Sequence, residues 1–160
     1  MDSAFPRGKT ACNRRLMTPA FIVSGRFVML LYLLIAGGGA LGSVARYWLS
    51  GLIATQVGET FPWGTFWVNV SGCIVIGFFA TLTGPDGRWF ASSETRQFFM
   101  TGICGGFTTF SSFSLQTLNL AREGDWLRAA AYVVASVVVC LLGVWLGHAG
   151  AAYLNQPHGN

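Results

Sequence analysis

The chain has 160 residues, 52% of them hydrophobic and only 10% charged. A soluble domain of this size carries about a quarter charged residues, so the composition excludes an ordinary soluble fold and indicates a membrane domain. The net charge of +4 does not indicate nucleic acid: five of the ten basic residues (Arg7, Lys9, Arg14, Arg15 and Arg26) precede the first apolar segment, and no basic face with interleaved aromatics remains.

Residues 1–28 are basic, contain Pro6 and Pro19, and show no apolar period. A short apolar core followed by a small-residue cleavage site is missing, which argues against a cleaved signal peptide. The segment reads either as a disordered or targeting tail, or as sequence upstream of a true start at Met29. Residues 29–154 then read as one four-helix membrane domain, with 155–160 as a C-terminal tail. Four segments, about 27–54, 61–83, 96–120 and 126–154, have few or no charges. Each reaches the roughly 20 residues needed to cross hydrocarbon.

In the first segment, Gly38 and Gly42, and likewise Gly39 and Ser43, are spaced for close helix contact. Arg46 lies within the span. A charge there is costly and faces a cavity, a partner or the interface. It either snorkels to the headgroups or forms a positive vestibule wall that draws anions. The second segment opens with Pro62, suited to a first helical turn, and with Trp63 and Trp67, suited to the interface belt. Asn69 follows. A carboxamide in hydrocarbon needs partners, and its role is either an interhelical hydrogen bond or an N–H donor aimed at a permeating anion.

The third segment contains Gly105-Gly106-Phe107-Thr108-Thr109-Phe110-Ser111-Ser112-Phe113. A glycine pair and a run of hydroxyls interrupt a stretch that would otherwise cross the membrane as helix. Broken helix at membrane depth is tolerated only where it is buried in protein or lines a cavity. The glycines weaken the helix and permit unusual backbone angles, Gly105 through Thr108 are expected to break it, and the carbonyls so freed can coordinate a cation. Phe110 and Phe113 share a helix face, with the hydroxyls of Ser112 and Thr109 nearby. In the fourth segment Tyr132, Ser136 and Cys140, spaced four apart, make a polar stripe on a helix of Val, Leu and Ala. The stripe reads as a water or ion track, or as helix–helix glue. His148 reads as interfacial.

Cys12, Cys73, Cys104 and Cys140 include no metal-ligand pair by spacing. Asp86, Glu94, Glu123 and Asp125 lie in or beside loops, Glu59 in the first loop and Asp2 in the tail. No carboxylate falls at mid-membrane, where a proton-coupled antiporter needs a titratable group. No catalytic arrangement of Ser, His, Asp or Cys is evident, so the chain does not read as an enzyme. With four spans, Arg88 and Arg96 lie on one side, and Arg122 and Arg128 on the other. That balance gives the core almost no preferred orientation, which permits insertion both ways and an antiparallel dimer. The tail's basic residues, if present, would favour a cytoplasmic N-terminus.

These motifs resemble the Fluc, or CrcB, family of fluoride channels over about residues 29–150. The resemblance rests on the nine-residue run above, on Gly38-Gly39 with Gly42 and Arg46-Tyr47, and on Pro62-x-Gly64-Thr65-x-x-Val68-Asn69-x-x-Gly72. It implies an all-α integral protein of four transmembrane helices with the third one broken, assembled as an antiparallel dual-topology homodimer in the plasma membrane. It implies passive fluoride efflux, with Asn69, Phe110, Ser112, Phe113, Tyr132, Ser136 and Arg46 along the ion pathway. It further implies a central sodium ion held by the backbone carbonyls of Gly105 and Thr108. Cys140 departs from the hydroxyl usual in the family's fourth-helix track, and Ser43 stands where alanine is common. The competing readings are a small four-helix drug/proton antiporter and a non-conducting structural membrane subunit.

Overall fold

The computed structural model describes residues 25–58 and 60–156. Most of the 1–28 tail and the end of the C-terminal tail lie outside the described residues. The described chain is all helical: α1 (Gly25–Val57), α2 (Trp63–Leu82), the short α3 (Ser93–Arg96), a π-helical stretch (Gln97–Cys104), α4 (Gly105–Phe107), α5 (Phe110–Arg122) and α6 (Trp126–Asn155). Among the described residues, α1, α2 and α6 are long and apolar enough to cross a membrane. With a rise of about 1.5 Å per residue, the 20 residues of α2 match the hydrocarbon thickness. The 33 of α1 and 30 of α6 exceed it, and tilt or projection takes up such an excess.

The 96–120 segment is not one helix. Residues 93–107 coil without interruption, Thr108 and Thr109 are extended, and α5 begins at Phe110. Neither piece alone has the length of a span.

Close approaches fix the directions. A Cβ on Gly38 would meet the backbone of Phe98 and Gly102, and one on Gly42 that of Ile103 and Phe107. The 93–107 helix therefore runs parallel to α1. On the other side, Gly143 faces Val70 and Ile74, and Gly147 faces Ile74 and Phe78. Thus α6 runs parallel to α2, with Gly143, Gly147 and Ala151 buried along the seam. Small residues let backbones approach where lipid supplies no hydrophobic drive between helices.

Polar ties close one end. Arg96, half-buried, donates to the Thr83 carbonyl (2.6 Å) and to the Thr83 hydroxyl, placing a cation at the C-terminus of α2 where the helix dipole favours it. Arg88 donates its backbone N–H to Asn155 Oδ1 (2.9 Å) and its guanidinium to the Leu154 carbonyl (3.3 Å). The buried side chains Phe66, Val70, Phe113, Leu120 and Tyr132 form the core between α2, α5 and α6.

Candidate functional site: a clamped helix break

The break falls at Thr108-Thr109, at the end of the Gly105–Thr108 stretch expected to interrupt the helix and past the glycine pair itself. Gly105 is helical (φ −65°, ψ −36°), and Gly106 lies within α4. Positive φ occurs only at Gly58 and Gly124 among the described residues. The glycines serve close approach instead: a Cβ on Gly106 would lie 2.5 Å from the Gly39 carbonyl oxygen of α1. Unusual backbone angles at Gly105 and Gly106 are therefore corrected to ordinary helix.

Thr108 (φ −82°, ψ 154°) and Thr109 (φ −149°, ψ 113°) leave the helix. The Thr108 hydroxyl and N–H both return to the Cys104 carbonyl, each at 2.9 Å. Thr109 caps α5, its Oγ1 accepting from the Ser112 N–H (3.2 Å), a position that favours a hydroxyl residue. Against these two residues stands α2. Asn69 donates from Nδ2 to the Thr109 carbonyl (3.1 Å) and accepts the Thr109 N–H at Oδ1 (2.8 Å). One carboxamide thus satisfies both backbone groups of the residue that has left the helix. Gly72, one turn on, makes room for the Thr108 methyl, which a Cβ there would strike.

In an unbroken helix the Thr109 N–H would bond to the Gly105 carbonyl. Its donation to Asn69 removes that partner from Gly105. The Gly106 carbonyl receives the Ser43 hydroxyl of α1 at 3.4 Å, so Ser43 has a polar contact that alanine would lack.

Beside the break is a cavity of about 470 Å³ lined by Ser43, Arg46, Tyr47, Ser50, Thr65, Thr109, Ser112 and Gln116. Its walls offer hydroxyls, an amide and one guanidinium. Arg46 has no carboxylate partner among the described residues, where the ion pair is Arg128–Asp125. An unpaired cation in a polar hollow attracts anions.

Phe113 is buried and Phe110 is 76% exposed, with ring centroids 5.2 Å apart. Phe113 packs on Tyr132 (5.1 Å). Tyr132 is fully buried and donates its hydroxyl to Gln116 Oε1 (3.0 Å). Ser136, one turn further along α6, is only 7% exposed, and its Oγ has no hydrogen-bond partner among the described residues.

The structure therefore gathers Arg46 and Ser112 around the cavity and packs Phe113 on Tyr132 between α5 and α6, with Ser136 buried one turn further along α6. Asn69 holds the backbone between them, and Phe110 points outward. Gln116 and Thr65 line the cavity but were not singled out from the sequence. Gln116 lies three residues after Phe113, and that helical spacing was an available signal. Thr65 lies within the quoted α2 motif.

Residues 33–148 match the model of the family described as CrcB-like protein, Camphor Resistance (CrcB). A protein of Rhodospirillum rubrum named fluoride-specific ion channel FluC is 69% identical over 125 residues, 78% of this chain and 97% of that one. The protein of the same name from Opitutus terrae is 64% identical over 132 residues, 82% of this chain and all of the relative. A third, from Paramagnetospirillum magneticum, is 61% identical over 128 residues, 80% of this chain and all of the relative. With such identity over nearly the whole length of its relatives, the chain belongs to the CrcB family, as a multi-pass membrane protein among ion channels and not an enzyme.

Proposed function

We propose that the chain forms a fluoride-selective channel that lowers cytoplasmic fluoride by passive efflux across the plasma membrane. The observation that carries this reading is 69% identity, over 97% of its length, to a relative named a fluoride-specific ion channel. The unpaired Arg46 and the hydroxyl-lined cavity give the reading its chemistry.

In this reading residues 93–122 cross the bilayer as a fourth, broken span. Two copies pack antiparallel, with the exposed Phe110 facing the partner copy. Fluoride is strongly hydrated, and a selective pore replaces its water with donors. Arg46 draws the anion to the cavity, where the Ser112 hydroxyl replaces water, and Asn69, bonded to the Thr109 backbone beside the cavity, offers its second N–H as the next donor. Phe110 and Phe113 present positive ring edges, which hold the ion weakly and let it leave. Tyr132 and Ser136 continue the route, and the free Ser136 Oγ is its polar contact on α6.

The Gly105 carbonyl, released by the break, suits a hard cation that prefers oxygen ligands. Together with the Thr108 carbonyl, it would hold a sodium ion at the dimer axis. Such an ion supplies fixed positive potential beside the route. The protein's share is Asn69, which keeps the Gly105 carbonyl free by taking the Thr109 N–H.

The test is fluoride efflux from liposomes containing purified protein, with and without a proton gradient. Fluoride efflux without chloride efflux, unchanged by the gradient, is the expected result. Flux that requires the gradient would favour the antiporter, and no flux above empty vesicles would leave the structural subunit.

A further inference from the structure

The loop between α2 and α3 exposes two adjacent aromatics, Phe90 completely and Trp89 by 65%. Exposed rings often sit on mobile loops that fold them away, but this loop is pinned. Gly87 N–H donates to the Gly84 carbonyl (2.9 Å), and Trp89 N–H to the Leu82 carbonyl (3.2 Å). Between them Arg88 is tied to Asn155 (2.9 Å) and Leu154 (3.3 Å) at the end of α6. Asn155 in turn donates to the Thr81 carbonyl (3.2 Å). These bonds join the ends of two parallel membrane-spanning helices and leave the two rings outside them.

The level of the loop is set by α2. Its 20 residues end at Leu82, and a helix of that length spans about the hydrocarbon thickness. The loop therefore begins where acyl chains give way to headgroups. Tyr153 and Leu154, at the neighbouring end of α6, are exposed too. Trp and Tyr form the belt that lies at headgroup level, and Phe90, with no polar edge, would sit just below it. Two rings are too small a surface for a stable protein partner, which needs about 1,000 Å². They are large enough for lipid.

We infer that Trp89 and Phe90 form a rigid interfacial anchor that inserts into the glycerol and upper acyl region of the bilayer. Because the loop is bonded to the ends of both α2 and α6, the anchor fixes the depth of that pair of helices, and with it the depth of the α2 clamp residue Asn69.

The test is Trp fluorescence of the full chain in phosphatidylcholine vesicles, which needs no ion flux. The Trp89 signal is the difference between wild type and Trp89→Phe. A second protein, Trp89→Phe with Phe90→Trp, reports from the neighbouring position. Both signals should be quenched more by lipids brominated near the head of the acyl chain than by those brominated near its end. Both should also be protected several-fold from iodide relative to free tryptophan. Iodide quenching equal to free tryptophan would place the loop in water and overturn the inference. Protection from iodide and from both lipids would mean that protein covers the rings, a second copy included, and would overturn it equally.

Discussion

Replacing Asn69 by alanine is the sharpest test of the clamped break. The carboxamide satisfies the Thr109 N–H at 2.8 Å and the Thr109 carbonyl at 3.1 Å. Thr109 is 7% exposed, so water has little access to either group once the side chain is gone. Each orphaned buried group costs about 1–3 kcal/mol. Part of that is offset because the asparagine no longer has to be desolvated, and the expected loss is about 2–4 kcal/mol. An ordinary interhelical hydrogen bond in a membrane averages about 0.6 kcal/mol, because the partners find others. Here the extended backbone at Thr109 has no helical carbonyl to return to, and the larger value follows. Asn69→Asp separates the two bonds: it keeps an acceptor for the N–H and sets a carboxylate oxygen against the Thr109 carbonyl. It should lose at least as much as alanine does. The assay is equilibrium unfolding in detergent or bicelles, run beside fluoride efflux on the same preparations. If Asn69→Ala unfolds within about 0.5 kcal/mol of wild type while efflux disappears, the carboxamide serves the ion and not the backbone, and the clamp argument fails.

Phe110→Ile should abolish fluoride efflux while the protein elutes as the same oligomer; normal flux would remove Phe110 from the pore. Gly147→Ala should destabilise by about 1–3 kcal/mol, the cost of overpacking, because its Cβ would strike the Ile74 carbonyl. Gly37→Ala, with nothing within 4 Å among the described residues, should leave unfolding of the separated chain unchanged. Ser136→Ala removes a buried hydroxyl with no partner among the described residues, so efflux should fall while the fold is kept; unchanged efflux would take Ser136 off the route. Arg46→Gln should slow efflux most at low ionic strength, where an unscreened cation attracts anions over the longest range, and a rate loss equal at all salt concentrations would argue against that role.

The membrane class and the apolar segments that form α1, α2 and α6 were legible because each rests on composition or local spacing. The position of the break was not. A glycine pair signals either loose backbone or close approach, and only the facing helix decides: Gly106 lies against Gly39, and both are helical or packed accordingly. The threonines that leave the helix are β-branched, a type that favours extended backbone, and Thr109 is a good cap, so the signal was present but overshadowed by the glycines. The role of Asn69 was left between glue and ion donor because its partner is a backbone 40 residues away. The stripe Gly143, Gly147 and Ala151 continues the face of Tyr132 and Ser136 but reads as ordinary small residues until α2 is seen against it. The π-helical stretch left no compositional mark, since apolar residues surround it on every side and a shift of one residue in bonding does not alter the pattern.

The glycines and the polar residues answer to a single constraint. Backbone that leaves a helix among packed apolar neighbours exposes groups that apolar surroundings do not satisfy, so other helices must stand near enough to do it with short side chains. Asn69 reaches Thr109, and Ser43 reaches Gly106, only because small residues let the backbones approach: Gly72 leaves room for Thr108, Gly42 for Ile103 and Phe107. Larger residues at those glycines would push the helices apart and strand the break without partners. The same closeness divides the phenylalanine pair. Phe113 is drawn into the core against Tyr132, while Phe110, three residues back at the first position of α5, stays 76% exposed. A pore wall made of both rings therefore needs a surface from outside this chain, and a second copy inserted in the opposite sense would provide one. In the proposed four-span arrangement, and counting from Met29, Arg88 and Arg96 fall on one side and Arg122 and Arg128 on the other, an even split that favours neither orientation and suits an antiparallel pair of identical chains.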